Sequence, residues 1–293
     1  FQQVPLRCEL DCPVDSGSGS AGGSLVCGSG IAKKIEIGLK QFSASVAKKV
    51  VAERVGIVAA VETSEKSSLP KRFNQLVLQS LLAESVLTIP LSKGKDVDAE
   101  DDKGKFSKRK LFSRENVAKY RQLGIEFLVL STTTESKGKF RVSLEAFELK
   151  KLRVVSKMKA PTFTKEDSEA IRSLTLLPKL NVKVLLHAAA NYGEQVDRGE
   201  CWDLPARPLR NAGARPTGYD FGKEVSFEEA KPGDVLTIDN GEHRHVMVLL
   251  DPGETLKKSM ILHQNWNKKK FVQRTKFPKH YPVEDIKIWR PGK

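Results

Sequence analysis

The chain has 293 residues, 39% of them hydrophobic and 29% charged, with a formal net charge of +14. That length suits about two domains, and the composition belongs to a folded globular protein rather than a disordered one. No run approaches the roughly 18 apolar residues that a helical membrane span requires.

The chain begins with Phe1 rather than Met, which fits a processed leader or a missing upstream segment; no secretory signal is visible. Residues 1–30 end in the run Ser16-Gly-Ser-Gly-Ser-Ala-Gly-Gly-Ser24, which has the composition of a flexible leader. Cys8, Cys12 and Cys27 fall in this stretch. They suit a disulfide, a partial metal site or incidental thiols; C-x3-C with no nearby His is a poor zinc pattern.

Residues 31–160 read as a small α/β domain. Val55–Val61 has the length of a buried strand, and Leu69–Leu82 carries Phe73, Leu76, Val77 and Leu81 at helical spacing. Val86–Leu91 predicts a second strand, and the charged segment Lys93–Lys105 an exposed loop. Ser113 opens a helix through Val117 and Tyr120 that closes near Gly124. Ile125–Leu130 predicts a third strand, Phe140–Phe147 alternates as a half-buried strand should, and 152–158 can pair with it. No catalytic constellation appears here. Residues 161–180, with Pro161 and Pro178, read as a linker with room for a short helix over 168–177.

From Asn181 onward the order is helices first, then a meander of strands, which makes the fold class α+β. Val182, Leu185, Leu186 and Ala189 have helical spacing; after Gly193 a loop reaches Gly199-Glu-Cys-Trp202, and a second helical stretch runs towards Leu209 and Gly213. Lys231-Pro-Gly-Asp234 is a turn before the strand 235–238, and 245–250 and 260–265 are further strands. Pro205 and Pro208 stand in the second helical stretch, where Pro208 is expected to kink or shorten it.

Cys201 has no evident cysteine partner, and His residues lie downstream of it, a pattern that invites a catalytic reading. A thiol nucleophile needs a helix start that favours thiolate, an imidazole to move its proton, and a polar group to orient the imidazole. Cys201 before a helix, His245 at a strand start and a polar residue on the next strand supply these in order. His263 is the best orienting residue, with Asn265 the runner-up two residues on. Other readings stand beside it: a buried thiol for Cys201, a turn residue for His243, zinc shared by His243, His245 and His263, and a structural role for His187. Trp202, Trp266 and Trp289 suit core or rim packing, and Lys268–Lys270 a hairpin tip.

Four segments carry a resemblance: Gly199-Glu-Cys-Trp202, Lys231-Pro-Gly-Asp-Val-Leu236, His245-Val-Met-Val-Leu249 and Met260-Ile-Leu-His263. In this order they resemble the papain-like NlpC/P60 cysteine hydrolases and the related CHAP amidases over residues 181–293. The resemblance implies a peptidase or amidase acting on cell-wall peptides through a thioester, with Cys201 as nucleophile, His245 as base and no cofactor. Leu69-Pro-Lys-Arg-Phe73, Tyr120-Arg-Gln-Leu-Gly124 and the alternating strand 140–147 similarly resemble the envelope domain of curli-secretion, flagellar-assembly and TolB N-terminal type. That implies a periplasmic, envelope or secreted protein whose first domain meets an envelope partner. The alternative is a non-catalytic envelope-binding or assembly protein with a hydrolase-like domain.

From Asn181 onward nineteen Lys/Arg face fifteen Asp/Glu, a net of +4, so the first 180 residues carry +10. Such an excess favours anionic partners. The cations are spread over Lys33, Lys34, Lys48, Lys49, Lys108–Lys110 and Lys150–Arg153 with no single arm, so nucleic acid is not the expected partner.

Overall fold

The computed structural model describes residues 25–292, apart from 51–53, 63–68, 85, 92–98, 100–105, 138, 160–161, 165–166, 168–170, 172–173 and 175. The first sheet has the order β2-β1-β3-β4-β5 and is built from β1 (Arg54–Glu62), β2 (Leu87–Leu91), β3 (Ile125–Ser136), β4 (Lys139–Glu148) and β5 (Arg153–Lys159). The two-residue β6 (Phe163–Thr164) also pairs with β4. β1 runs parallel to β2 and β3, and β3-β4-β5 is an antiparallel meander.

Helices cover both faces of this sheet, and the residue pattern shows why. In β3, Phe127 and Val129 enter the core beneath α1 (Leu25–Ala47) and α2 (Leu69–Ala83). Ile125, Leu128 and Leu130 enter a second cluster with Leu111, Val117 and Tyr120 from α3 (Lys108–Leu111) and α4 (Arg114–Gln122). A strand covered twice needs no alternation, so it reads as one apolar run. β4 keeps its alternation because Phe140, Val142, Leu144 and Ala146 all enter the α1–α2 core. Ser113 caps α4 by accepting a hydrogen bond from Asn116 N. Gly124 follows at φ +66°.

The reading of the N-terminal stretch changes here. A 23-residue helix, α1, starts at Leu25, inside the stretch read as leader. It buries Ile35, Leu39, Phe42 and Val46 at alternating steps of four and three. Of the short helix expected over 168–177 only Ile171, Leu174, Leu176 and Leu177 are described, with Ile171 buried in the α1–α2 core. Of the expected exposed loop 93–105 only Ala99 is described, and it is buried; Cys8 and Cys12 lie outside the described residues.

The second sheet has the order β11-β10-β9-β8-β12-β7, with every described pairing antiparallel. Its strands are β7 (Gly222–Glu224), β8 (Val235–Asp239), β9 (Arg244–Asp251), β10 (Met260–His263), β11 (Gln273–Lys276) and β12 (Lys287–Pro291). Helices α5 (Lys179–Ala190) and α6 (Asp203–Asn211) pack on one face, where Val184, Leu185, Leu204 and Leu209 meet Val246, Val248 and Leu250. Leu82 and Leu87 of the first half join this cluster, so α5 closes the β2 side of the first sheet. On the other face Leu236, Ile238, Met247 and Leu249 pack with Ile261, Phe277 and Tyr281. Both helices and sheets are present, which makes the fold α+β.

Candidate functional site

The turn that follows α6 in sequence ties helix to sheet. Asp234 is fully buried, and its carboxylate accepts hydrogen bonds from Asn181 Nδ2 at 2.7 Å, Lys231 N at 2.8 Å and the Arg290 guanidinium at 2.8 and 3.1 Å. Asn181 Nδ2 also donates to the Pro232 carbonyl at 3.0 Å. Gly233 has φ +87°, and a Cβ there would lie 2.6 Å from the Asn181 carbonyl oxygen. So close an approach requires glycine. The Pro-Gly-Asp motif is a structural clasp between α5, β8 and β12.

Cys201 lies two residues before α6, half-buried against the helix-side core together with Trp202. Its loop is held from two directions. Gln264 accepts from Val196 N at 3.0 Å and donates to the Val196 and Glu200 carbonyls. Asp203, almost fully buried, accepts from Arg198 N, Glu200 N and the Arg198 guanidinium. Despite Pro208, α6 continues to Asn211; the expected shortening does not occur.

The thiol is pushed up from its usual range, first by burial. Backbone N–H groups of Val246, Trp202 and Cys201 act against that shift, and the Glu200 carboxylate adds to it. A sulfur in such a setting stays protonated at neutral pH.

His245 and His263 do meet. His245 Nε2 and His263 Nδ1 are 3.0 Å apart, and His263 Nε2 lies 3.1 Å from Thr275 Oγ1. Burial pushes His245 down to about 4. Burial, then the neighbouring His245, pushes His263 down to about 3. Both rings are therefore neutral at pH 7.

Their companions are aromatic. Trp266 lies 5.4 Å from the His245 ring and 5.2 Å from the His263 ring, and the Tyr281 ring is 6.3 Å from His245. Trp266 and Tyr281 belong to the cluster on the face away from α6. Successive strand residues point to opposite faces, so Val246 joins the helix side while His245 shares the other face with Met247. Among the described residues no hydrogen bond joins Cys201 to either ring. Tyr281 is pushed up to about 12 by burial and secondarily by Cys201, so the sulfur lies within electrostatic reach of this cluster.

Asn265 does not stand in for His263. β10 ends at His263, Asn265 takes φ +56°, and its Nδ2 donates to Glu200 at 2.8 Å. The expected shared strand face is lost to that left-handed turn. His243 packs by its ring against Tyr281 and His280, outside the His245–His263 pair. His187 bonds Asn191 on α5. Trp289 donates to Thr237, and Lys268–Lys270 form the tip between Trp266 and Phe271. Sequence reasoning missed Gln264 and Asp203, which fix the Cys201 loop; a polar residue one step beyond His263 and an acid two beyond Cys201 were the only signals.

No family model matches the chain, and no curated protein does. Solved structures similar to it include the LpoB C-terminal domain from Salmonella enterica, 10% identical with a TM-score of 0.31, over 45% of this chain and 98% of that one. The solution structure of Escherichia coli LpoB is 11% identical with a TM-score of 0.29, over 56% of this chain and 84% of that one. TolB from Acinetobacter baumannii is 11% identical with a TM-score of 0.25, over 77% of this chain and 38% of that one. None of these is an NlpC/P60 peptidase. The expected membership of that family is corrected accordingly, and with it the thiol-protease, amidase and cell-wall hydrolase activity drawn from it. Four short motifs in the right order reproduce a strand-and-turn sequence without fixing the chemistry that a family shares.

Proposed function

We propose that the protein acts by binding rather than by turnover, as a non-catalytic envelope docking or assembly protein whose second half is hydrolase-like only in outline. The observation that carries this is that, among the described residues, no hydrogen bond joins Cys201 to His245 or His263, although the Val246 N–H beside them faces the sulfur. Cys201 packs with the helix-side core, and the two imidazoles pack with the opposite core. All three groups are held neutral by burial. Nucleophilic catalysis needs the thiol and its base within hydrogen-bond reach. The excess of +14 suits the anionic polymers and lipids of a cell envelope. Among the described residues no helix is long and apolar enough to cross a membrane.

The test is incubation of the native chain and its Cys201→Ala variant with purified sacculi. Equal co-sedimentation of both, with no muropeptide released, is the expected result. Release by the native chain alone would overturn the proposal. A second reading, a thiol-dependent enzyme with Cys201 as nucleophile and His245 as base, is favoured by the 3.0 Å His245–His263 bond. A set of simple thioester and amide substrates, turned over by the native chain and not by the variant, would establish it.

A further inference from the structure

Where α2 meets α5, the two halves leave an open groove of about 540 Å³. Its apolar floor comes from Leu78 on α2 and from Val182 and Leu186, one turn apart on α5. All three are only partly buried, because α5 turns Val184, Leu185, Ala188 and Ala189 into the core instead. The rim carries Arg72, Lys179 and Lys183, and among the described residues no acidic one lines the groove. Lys179 and Lys183 are exposed and make no ion pair among the described residues. Arg72 bonds the Leu174 carbonyl and Gln75, while its Nε is buried without a partner.

An apolar stripe bordered by cations matches an amphipathic segment with apolar and acidic faces. The spacing favours a helix over a disordered anion. Lys179 and Lys183 are four apart, as are Val182 and Leu186, so both rows repeat at the rise of a helical turn. Twelve residues of α5 give a wall about 18 Å long, enough for roughly three turns of a partner. We infer that this groove is a docking site for an acidic amphipathic helix of a partner protein. The inference rests on the binding role proposed above and names the partner's chemistry.

The experiment titrates the full chain with two synthetic 14-residue peptides that share a leucine face at helical spacing and differ only in flanks of Glu or Lys. Fluorescence anisotropy reads the affinity. The Glu peptide is expected to bind at micromolar Kd and the Lys peptide at least tenfold more weakly. Lys179→Glu/Lys183→Glu, at two exposed positions, is expected to weaken the Glu peptide tenfold or more and to improve the Lys peptide. Equal affinity of both peptides, no binding of either, or an unchanged affinity in the double variant would overturn the inference. So would binding of phosphatidylglycerol vesicles, lost in the double variant, without binding of the Glu peptide; the surface would then be a lipid contact. Sacculus co-sedimentation is measured separately, so a failed groove and a failed binding role give different results.

Discussion

The two sheets place their charged groups differently. Around the first sheet the ion pairs lie on the surface: Lys108 with Glu145, Lys119 with Glu115, Lys157 with Glu145, and Lys151 and Arg153 with Glu148. The second half has surface pairs too, Arg207 with Asp197, Arg244 with Asp239 and Lys258 with Glu254, but it also seals two acids inside: Asp234 beneath Arg290 and Asn181, Asp203 beneath Arg198. Exposed pairs are screened by water and contribute little. Buried ones, once formed, cannot lose a partner cheaply. Among the described residues, the ion pairs of the first half thus sit at the surface, whereas the second half also uses buried carboxylates to hold its own loops.

Breaking the clasp at Asp234 should give the largest effect. Asp234→Ala strands the Arg290 guanidinium and the Asn181 amide, and a loss of about 3–5 kcal/mol in urea unfolding is expected. The equivalent removal in the first half, Lys119→Ala, should cost less than about 0.5 kcal/mol. If the two changes cost the same, the contrast between the sheets is wrong.

Acidification acts on the second half alone through its histidines. Folding holds both rings below their ordinary 6.5, so the unfolded chain takes up protons first. Stability present above about pH 6.5 is then lost as pH falls, levelling near 4 for His245 and near 3 for His263. The slope is at most about 1.4 kcal/mol per pH unit for each ring. His245→Phe/His263→Leu should flatten the curve between pH 6 and 4, measured by thermal unfolding across that range.

A smaller effect is expected from Gln264→Ala, which frees the carbonyls and N–H that hold the Cys201 loop. Its cost should be about 1–3 kcal/mol, accompanied by faster alkylation of Cys201 as the loop loosens. Faster alkylation without any stability loss would mean that Gln264 shields the thiol rather than staples the loop.

How far the sequence reveals this molecule depends on periodicity. α2, α4 and β4 are legible because each exposes one face, so apolar residues recur at a fixed step. α1 was equally periodic through Ile31, Ile35, Leu39, Phe42 and Val46, but the Ser/Gly run before it and the glycines at 28, 30 and 38 obscured it. A Cβ at Gly38 would lie 2.6 Å from Met158 Cε on β5, the movable end of a flexible side chain, so the contact does not by itself demand glycine. β11 escaped because Gln273–Lys276 has no apolar residue and is defined by its pairing, and β12 because Lys287–Pro291 offers only the adjacent Ile288 and Trp289, which enter opposite cores and show no period.

At the site, the meeting of His245 and His263 was readable, since both end or begin adjacent strands. The side of the sheet that His245 takes was not. β9 is covered on both faces, so Val246, Met247, Val248 and Leu249 are all apolar and no alternation marks which face His245 shares.

The most direct test is the rate at which iodoacetamide labels Cys201 as a function of pH, read on the peptide containing that residue so that Cys8, Cys12 and Cys27 do not interfere. A buried, protonated thiol without an imidazole partner should label slowly at neutral pH and accelerate only in alkaline solution. Rapid labelling that reaches a plateau by pH 7, and that is lost in His245→Ala, would show a thiolate–imidazolium pair and contradict the binding account.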